Sequence, residues 1–257
     1  MTPIASFARR FFPLWALGLC GVAALALQAP PAALVDGSPT LRELPNYLVR
    51  LLLLVNPLIL LTVMAAVGAA CAPRVGLRSA LAGDPAARLD ARLALTVGLV
   101  LALLIGGADL VLADALGPDW QRLSADAASR PWLPTLLMGT LYGGLTEEIV
   151  MRWGLMGLVA WGLMAMRPRA VRKEPEALPP LLAWVAIAVA GAAFAVGHLP
   201  ALAQGIELTG PLLARTLGLN LVAGLAYGWL FWRRGLECAM LAHASTHLGF
   251  ALVRWVA

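Results

Sequence analysis

The sequence predicts an all-α fold, a polytopic bundle of about seven transmembrane helices, on three observations. Of its 257 residues 61% are hydrophobic and only 13% charged, whereas a soluble domain is nearer half apolar and a quarter charged. The mean hydropathy is +0.82. Apolar runs of about 20 residues, the length a helix needs to cross roughly 30 Å of hydrocarbon, recur along the whole chain.

The first run, 11–28, follows Arg9 and Arg10. Its basic start, apolar centre and small residues near Ala29 also fit a cleaved signal peptide, and the arginine pair fits a twin-arginine signal. A retained first span is the commoner outcome with six further runs behind it. Runs 48–71 and 94–115 follow. The fourth, 133–166, is too long for one simple crossing. Pro134 and the Gly143-Gly144 pair permit a break there, leaving 132–144 along the interface or as a separate short helix. Runs 180–199, 211–232 and 236–256 complete the set. The stretch "RPRAVRKEPEALPP", 167–180, reads as a charged, proline-bearing cytoplasmic loop. Cys20, Cys71 and Cys238 fall within or at the ends of apolar runs without paired metal spacing, and read as packing residues.

Lys and Arg set the expected orientation. With a cytoplasmic N-terminus the inner segments hold Arg9, Arg10, Arg74, Arg78, Arg88, Arg92, Arg167, Arg169, Arg172, Lys173, Arg233 and Arg234, twelve in all. The outer segments hold six, Arg42, Arg50, Arg122, Arg130, Arg215 and Arg254. This excess favours N-in and C-out. The formal charge of +5 therefore points to lipid headgroups as the partner, and to no nucleic acid.

Against this background "GGLTEEIVMRWGL", 143–155, is costly, because a charge at the bilayer centre costs roughly 2.5–3.5 kcal/mol on insertion scales. Glu148 and Arg152 stand four apart, acid before base, and stack on one helix face as a pair. Glu147 points about 100° away with no partner in its own segment. The only three histidines, His198, His243 and His247, also lie in late apolar runs, and the last two share a helix face. One membrane histidine is usually a packing or hydrogen-bonding residue. Three histidines with an unpaired glutamate suggest a wet cavity with chemistry in it.

Glu147-Glu148-x-x-x-Arg152, Phe194-x-x-x-His198 and His243-x-x-x-His247 resemble, in order, setting and separation, the motifs of the CAAX protease and bacteriocin-processing family of intramembrane glutamic proteases. "EEIVMRWG" is similar to that family's EExxFRG pattern, with Met151 and Trp153 as substitutions. The resemblance divides the chain into N-terminal helices without motif, 1–130, and a catalytic core, 131–257. The family's last motif commonly ends in asparagine; here that position is His247, and either side chain presents an N–H donor.

The resemblance implies an intramembrane endopeptidase with neither metal nor other cofactor, in a multi-pass protein of the bacterial plasma membrane. Glu147 and His198 would activate a water. His243 and His247 would donate to the developing oxyanion. Glu148 and Arg152 would brace the helix that aims Glu147. The implied partner is a membrane-associated protein or a lipidated peptide. Two other readings stand beside it. A glutamate and three histidines are also a plausible zinc set, although no HExxH occurs. Intramembrane ionisable groups also mark non-catalytic scaffolds, transporter components or immunity factors.

One expectation sits awkwardly with the others. At about 1.5 Å per residue, Glu147 and His198 lie roughly 27–28 Å from the basic-loop ends of their helices, and His243 only about 10 Å from Arg233-Arg234.

Overall fold

In the computed structural model, residues 2–167 and 177–256 are described, with the side chains of 254–256 left aside. The cytoplasmic-loop assignment for 167–180 falls largely outside them. Every regular element among the described residues is helical. In order these are α1 (Pro3–Leu25), the short α2 (Ala32–Asp36) and α3 (Pro39–Glu43), α4 (Asn46–Cys71) and α5 (Ala91–Ser129). Then come α6 (Trp132–Leu137), π-helical turns over Met138–Glu147 and Ile149–Met156, and α7 (Gly157–Ala165). The chain ends with α8 (Pro180–Gly197), α9 (Leu199–Ala203), α10 (Gly210–Arg234) and α11 (Leu236–Val256).

Six helices are long and apolar enough to cross a membrane. The expected run that is not among these six, 211–232, corresponds to α10, which has 25 residues but carries Arg215, Thr216 and Asn220. Its length suffices for a crossing of about 30 Å, and its polar groups lower its hydropathy rather than its reach. The third run extends further than its apolar stretch, because α5 turns at Gly117 (φ 83°, ψ 177°) before Pro118 and continues to Ser129.

The long fourth run stays continuous from Trp132 to Ala165, without the break that Gly143-Gly144 permits. Its middle widens to i→i+5 hydrogen bonding, a form common as single turns at functional sites and rare at this length. Widening a helix shortens it per residue, so more chain fits the same depth. Gly157 also lies against Ala72, where α4 ends, so α7 runs on beyond that level. Distances counted from the 167–180 loop therefore overstate the depth of Glu147, whereas His198 ends a regular α-helix of 18 residues to which this shortening does not apply.

The π-helical run is the centre of the bundle. α1 packs on its first half and donates a landing point, since Thr146 Oγ1 donates to the Gly18 carbonyl at 2.8 Å. α4 packs on its second half, with Trp15 of α1 tied to Thr62 of α4 at 3.0 Å. α11 lies between the run and α5, and α8 pairs with α10. Lipid tails are as apolar as leucine, so close packing and interhelical hydrogen bonds hold such helices together.

Candidate active site

Glu148 and Arg152 are both fully buried. Arg152 Nη1 stands 3.0 Å from Glu148 Oε1, the i,i+4 pair expected from sequence. That contact is ionic, without hydrogen-bond alignment, while Nη2 donates to the Gly224 carbonyl of α10 at 3.3 Å. The guanidinium also lies over Phe194 of α8 at 4.7 Å and near Tyr227 of α10 at 5.3 Å.

Glu148 has a second partner that its sequence position did not disclose. Its Oε1 is 2.8 Å from His243 Nδ1 across the bundle. If Glu148 is ionised, as pairing with the guanidinium favours, it cannot donate, and Nδ1 then carries the proton. The neutral ring then offers Nε2 as a lone pair. Donation to an oxyanion from His243, as the resemblance implies, thus requires its imidazolium form. His243 is stacked on Tyr227 at 4.6 Å and on His247 at 5.2 Å. The Tyr227 hydroxyl is 2.7 Å from Thr246 Oγ1, which itself donates to the Ala242 carbonyl at 3.0 Å, so tyrosine is the donor and its ring is pinned.

His198 caps α8, and its Nδ1 lies 2.8 Å from the Phe194 carbonyl. A carbonyl only accepts, so Nδ1–H donates and Nε2 is free to accept a proton. Two of the three histidines are therefore held as bases by their own supports.

His247 reaches the site through space that glycine leaves open. Gly139 and Gly143 stand four apart on the face turned to α11, the small-xxx-small spacing of close membrane packing. A Cβ on Gly139 would meet His247 Cγ at 2.6 Å. One on Gly143 would meet His247 Nε2 at 2.7 Å and His243 Nε2 at 3.3 Å. Both outward ring nitrogens thus converge over Gly143, four residues before Glu147.

Glu147 is half-buried and has no hydrogen-bond or ion-pair partner among the described residues. It is close enough to His243 and Tyr142 to act on them electrostatically. The three histidines line one cavity of about 320 Å³ between α5, α8, α10 and α11. Glu147 is beside that cavity, not among its lining residues. The structure thus gathers His198, His243 and His247, places Glu148 and Arg152 behind them, and leaves Glu147 uncommitted. No group of three His, Cys, Asp or Glu side chains suited to hold a metal occurs among the described residues.

The other end of the cavity holds a pair that sequence reasoning missed. Arg215 of α10 grips Asp109 of α5 through two bonds, Nε to Oδ1 at 2.7 Å and Nη2 to Oδ2 at 2.5 Å, with Trp120 beneath the guanidinium at 4.5 Å. The available signal was Asp109 itself, an acid inside an apolar run.

No curated protein and no solved structure matches the chain significantly. A protein-family comparison does match, over residues 129–249, which contain all six residues of the glutamate, histidine and arginine motifs. Residues 129–249 are a domain of the type II CAAX prenyl endopeptidase Rce1-like family, in a multi-pass membrane protein.

Proposed function

We propose that the protein is a metal-independent intramembrane endopeptidase of glutamic type, cleaving a membrane-associated protein or lipidated peptide. One observation carries the reading: every histidine of the chain converges on one cavity, beside a half-buried carboxylate with no partner among the described residues. A carboxylate within a membrane span and without a partner is expensive to keep, and a task for it offsets the cost.

In this reading Glu147 and the Nε2 of His198 hold a water. Glu147 takes one of its protons as the oxygen bonds to the peptide carbonyl carbon, and the carbonyl π electrons move onto its oxygen. His247 donates an N–H to that oxyanion, an interaction worth about 2.7–4 kcal/mol in well-studied hydrolases. His243, held by Glu148 through Nδ1, stacks on His247 and keeps that ring in place. The proton on Glu147 then passes to the amide nitrogen as the C–N bond breaks. With α10 counted as a span alongside the other six, the excess of arginine on one side favours a cytoplasmic N-terminus in a bacterial plasma membrane.

The test compares membrane peptidomes of cells carrying wild type and Glu147→Gln, followed by cleavage of the accumulating peptide by purified protein before and after exhaustive chelation. A precursor that builds up only with the variant and is cut equally by chelated enzyme supports the reading. Identical peptidomes indicate a non-proteolytic scaffold, and activity that zinc removal and return switch off and on indicates a metallohydrolase.

A further inference from the structure

Away from the histidines, the end of the bundle formed by the α10–α11 turn carries a second cavity, of about 500 Å³. Arg78, Arg88, Arg233 and Arg234 line it, with Trp232 and Leu178. Among the described residues Arg78, Arg88 and Arg233 have no carboxylate within ion-pair distance, and Arg234 has only Asp90, at 3.7 Å. Ordinary solvated basic faces are convex and laced with acids. Here the guanidiniums come from separate segments around one concavity.

The frame that holds them is built. Gly235 (φ 110°) reverses the chain from α10 into α11 in a single residue, a conformation that favours glycine. The next amide, Leu236 N–H, donates to the Arg78 carbonyl at 3.0 Å. Glu237 at the start of α11 accepts from Ser79 Oγ at 2.6 Å and from the Leu81 amide at 3.0 Å. The loop that carries Arg78 is thus fastened to the turn that carries Arg233, and Glu237 is spent on that fastening, which leaves Asp90 beside Arg234 as the one carboxylate in ion-pair reach of the four arginines among the described residues.

Guanidinium pairs match a phosphate through parallel N–H bonds and lose less freedom in doing so than lysine would. Trp232 packs edge-on to Trp184 at 6.4 Å, and such aromatics sit at the level of lipid headgroups. A tryptophan at that level would put the cavity at the depth of lipid phosphates, with Trp232 and Leu178 as an apolar wall for the start of an acyl chain. We propose that it binds the phosphate headgroup of an anionic phospholipid, a site distinct from the histidine cavity and independent of any proteolytic role. The shared chemistry is a phosphate anion; the wall of Trp232 and Leu178 favours the lipid over soluble phosphate.

The test uses the full chain in phosphatidylcholine nanodiscs with stepwise addition of phosphatidylglycerol, counting retained lipid by native mass spectrometry and following the melting temperature. R88Q/R233Q is expected to weaken retention about 25-fold, at about fivefold per arginine near the surface. R88K/R233K should recover most of it, which separates charge from folding. R74Q/R92Q, which removes two exposed arginines outside the cavity, should retain the lipid as wild type does. Equal loss in the R74Q/R92Q control, or no loss in R88Q/R233Q, overturns the site. Inorganic phosphate that stabilises the phosphatidylcholine sample and displaces phosphatidylglycerol overturns the choice of a lipid.

Discussion

Replacing Arg152 by methionine keeps most of the side chain's bulk and removes its charge. The structure shows what would be left: Glu148 fully buried, its Oε2 without a protein partner and its Oε1 facing only His243. Breaking a buried pair from one side costs about 3–5 kcal/mol, which corresponds to roughly 6–20 °C in Tm at about 2–4 °C per kcal/mol. The cation–π contacts with Phe194 and Tyr227 add to the loss. Glu148→Gln alone should cost less, because the amide still presents a carbonyl to His243. The double variant E148Q/R152M leaves no stranded charge, so it should be far more stable than the sum of the singles. Thermal unfolding of the detergent-solubilised protein measures all three. Strictly additive effects, or a loss below about 1 kcal/mol for Arg152→Met, would refute the buried pair as the brace of the site.

His247→Leu should lower kcat by about two to three orders of magnitude with little change in KM, whereas His247→Asn should keep much of the rate, because the interaction gains strength only in the transition state. Full turnover of the leucine variant in a peptide-cleavage assay removes the oxyanion role. Gly143→Val should abolish cleavage and displace α11, since its Cβ would stand 2.7 Å from His247 Nε2; a cysteine crosslinking scan between Thr140 and Ala244 reads the displacement, and unchanged crosslinking with full activity contradicts the packing argument.

Much of this site was legible in the chain because a membrane makes polarity expensive. Glu147, Glu148, Arg152 and the histidines stood out against runs of leucine and alanine, and the structure brings them to one region. The spans were equally visible, since a crossing needs a minimum apolar length. Three features were not. Whether a helix closes i→i+4 or i→i+5 depends on what packs against it, and Gly143-Gly144 could as well have ended the helix as widened it. Asp109 and Arg215 are 106 residues apart, and nothing local to either announces the other. The Glu148–His243 contact was hidden for a related reason: the i,i+4 rule offered Arg152 as a sufficient partner, and a carboxylate oxygen accepts more than one.

Arg152 has consequences for the order in which the molecule is made. Its one guanidinium touches Glu148 on its own helix, the Gly224 carbonyl and Tyr227 on α10, and Phe194 on α8, while Glu148 holds His243 on α11. A chain whose last three helices have not yet joined the bundle has no fixed imidazole and no finished cavity. During insertion, therefore, the contacts that secure Arg152 and the histidine cavity are completed together, only when the final helix has closed.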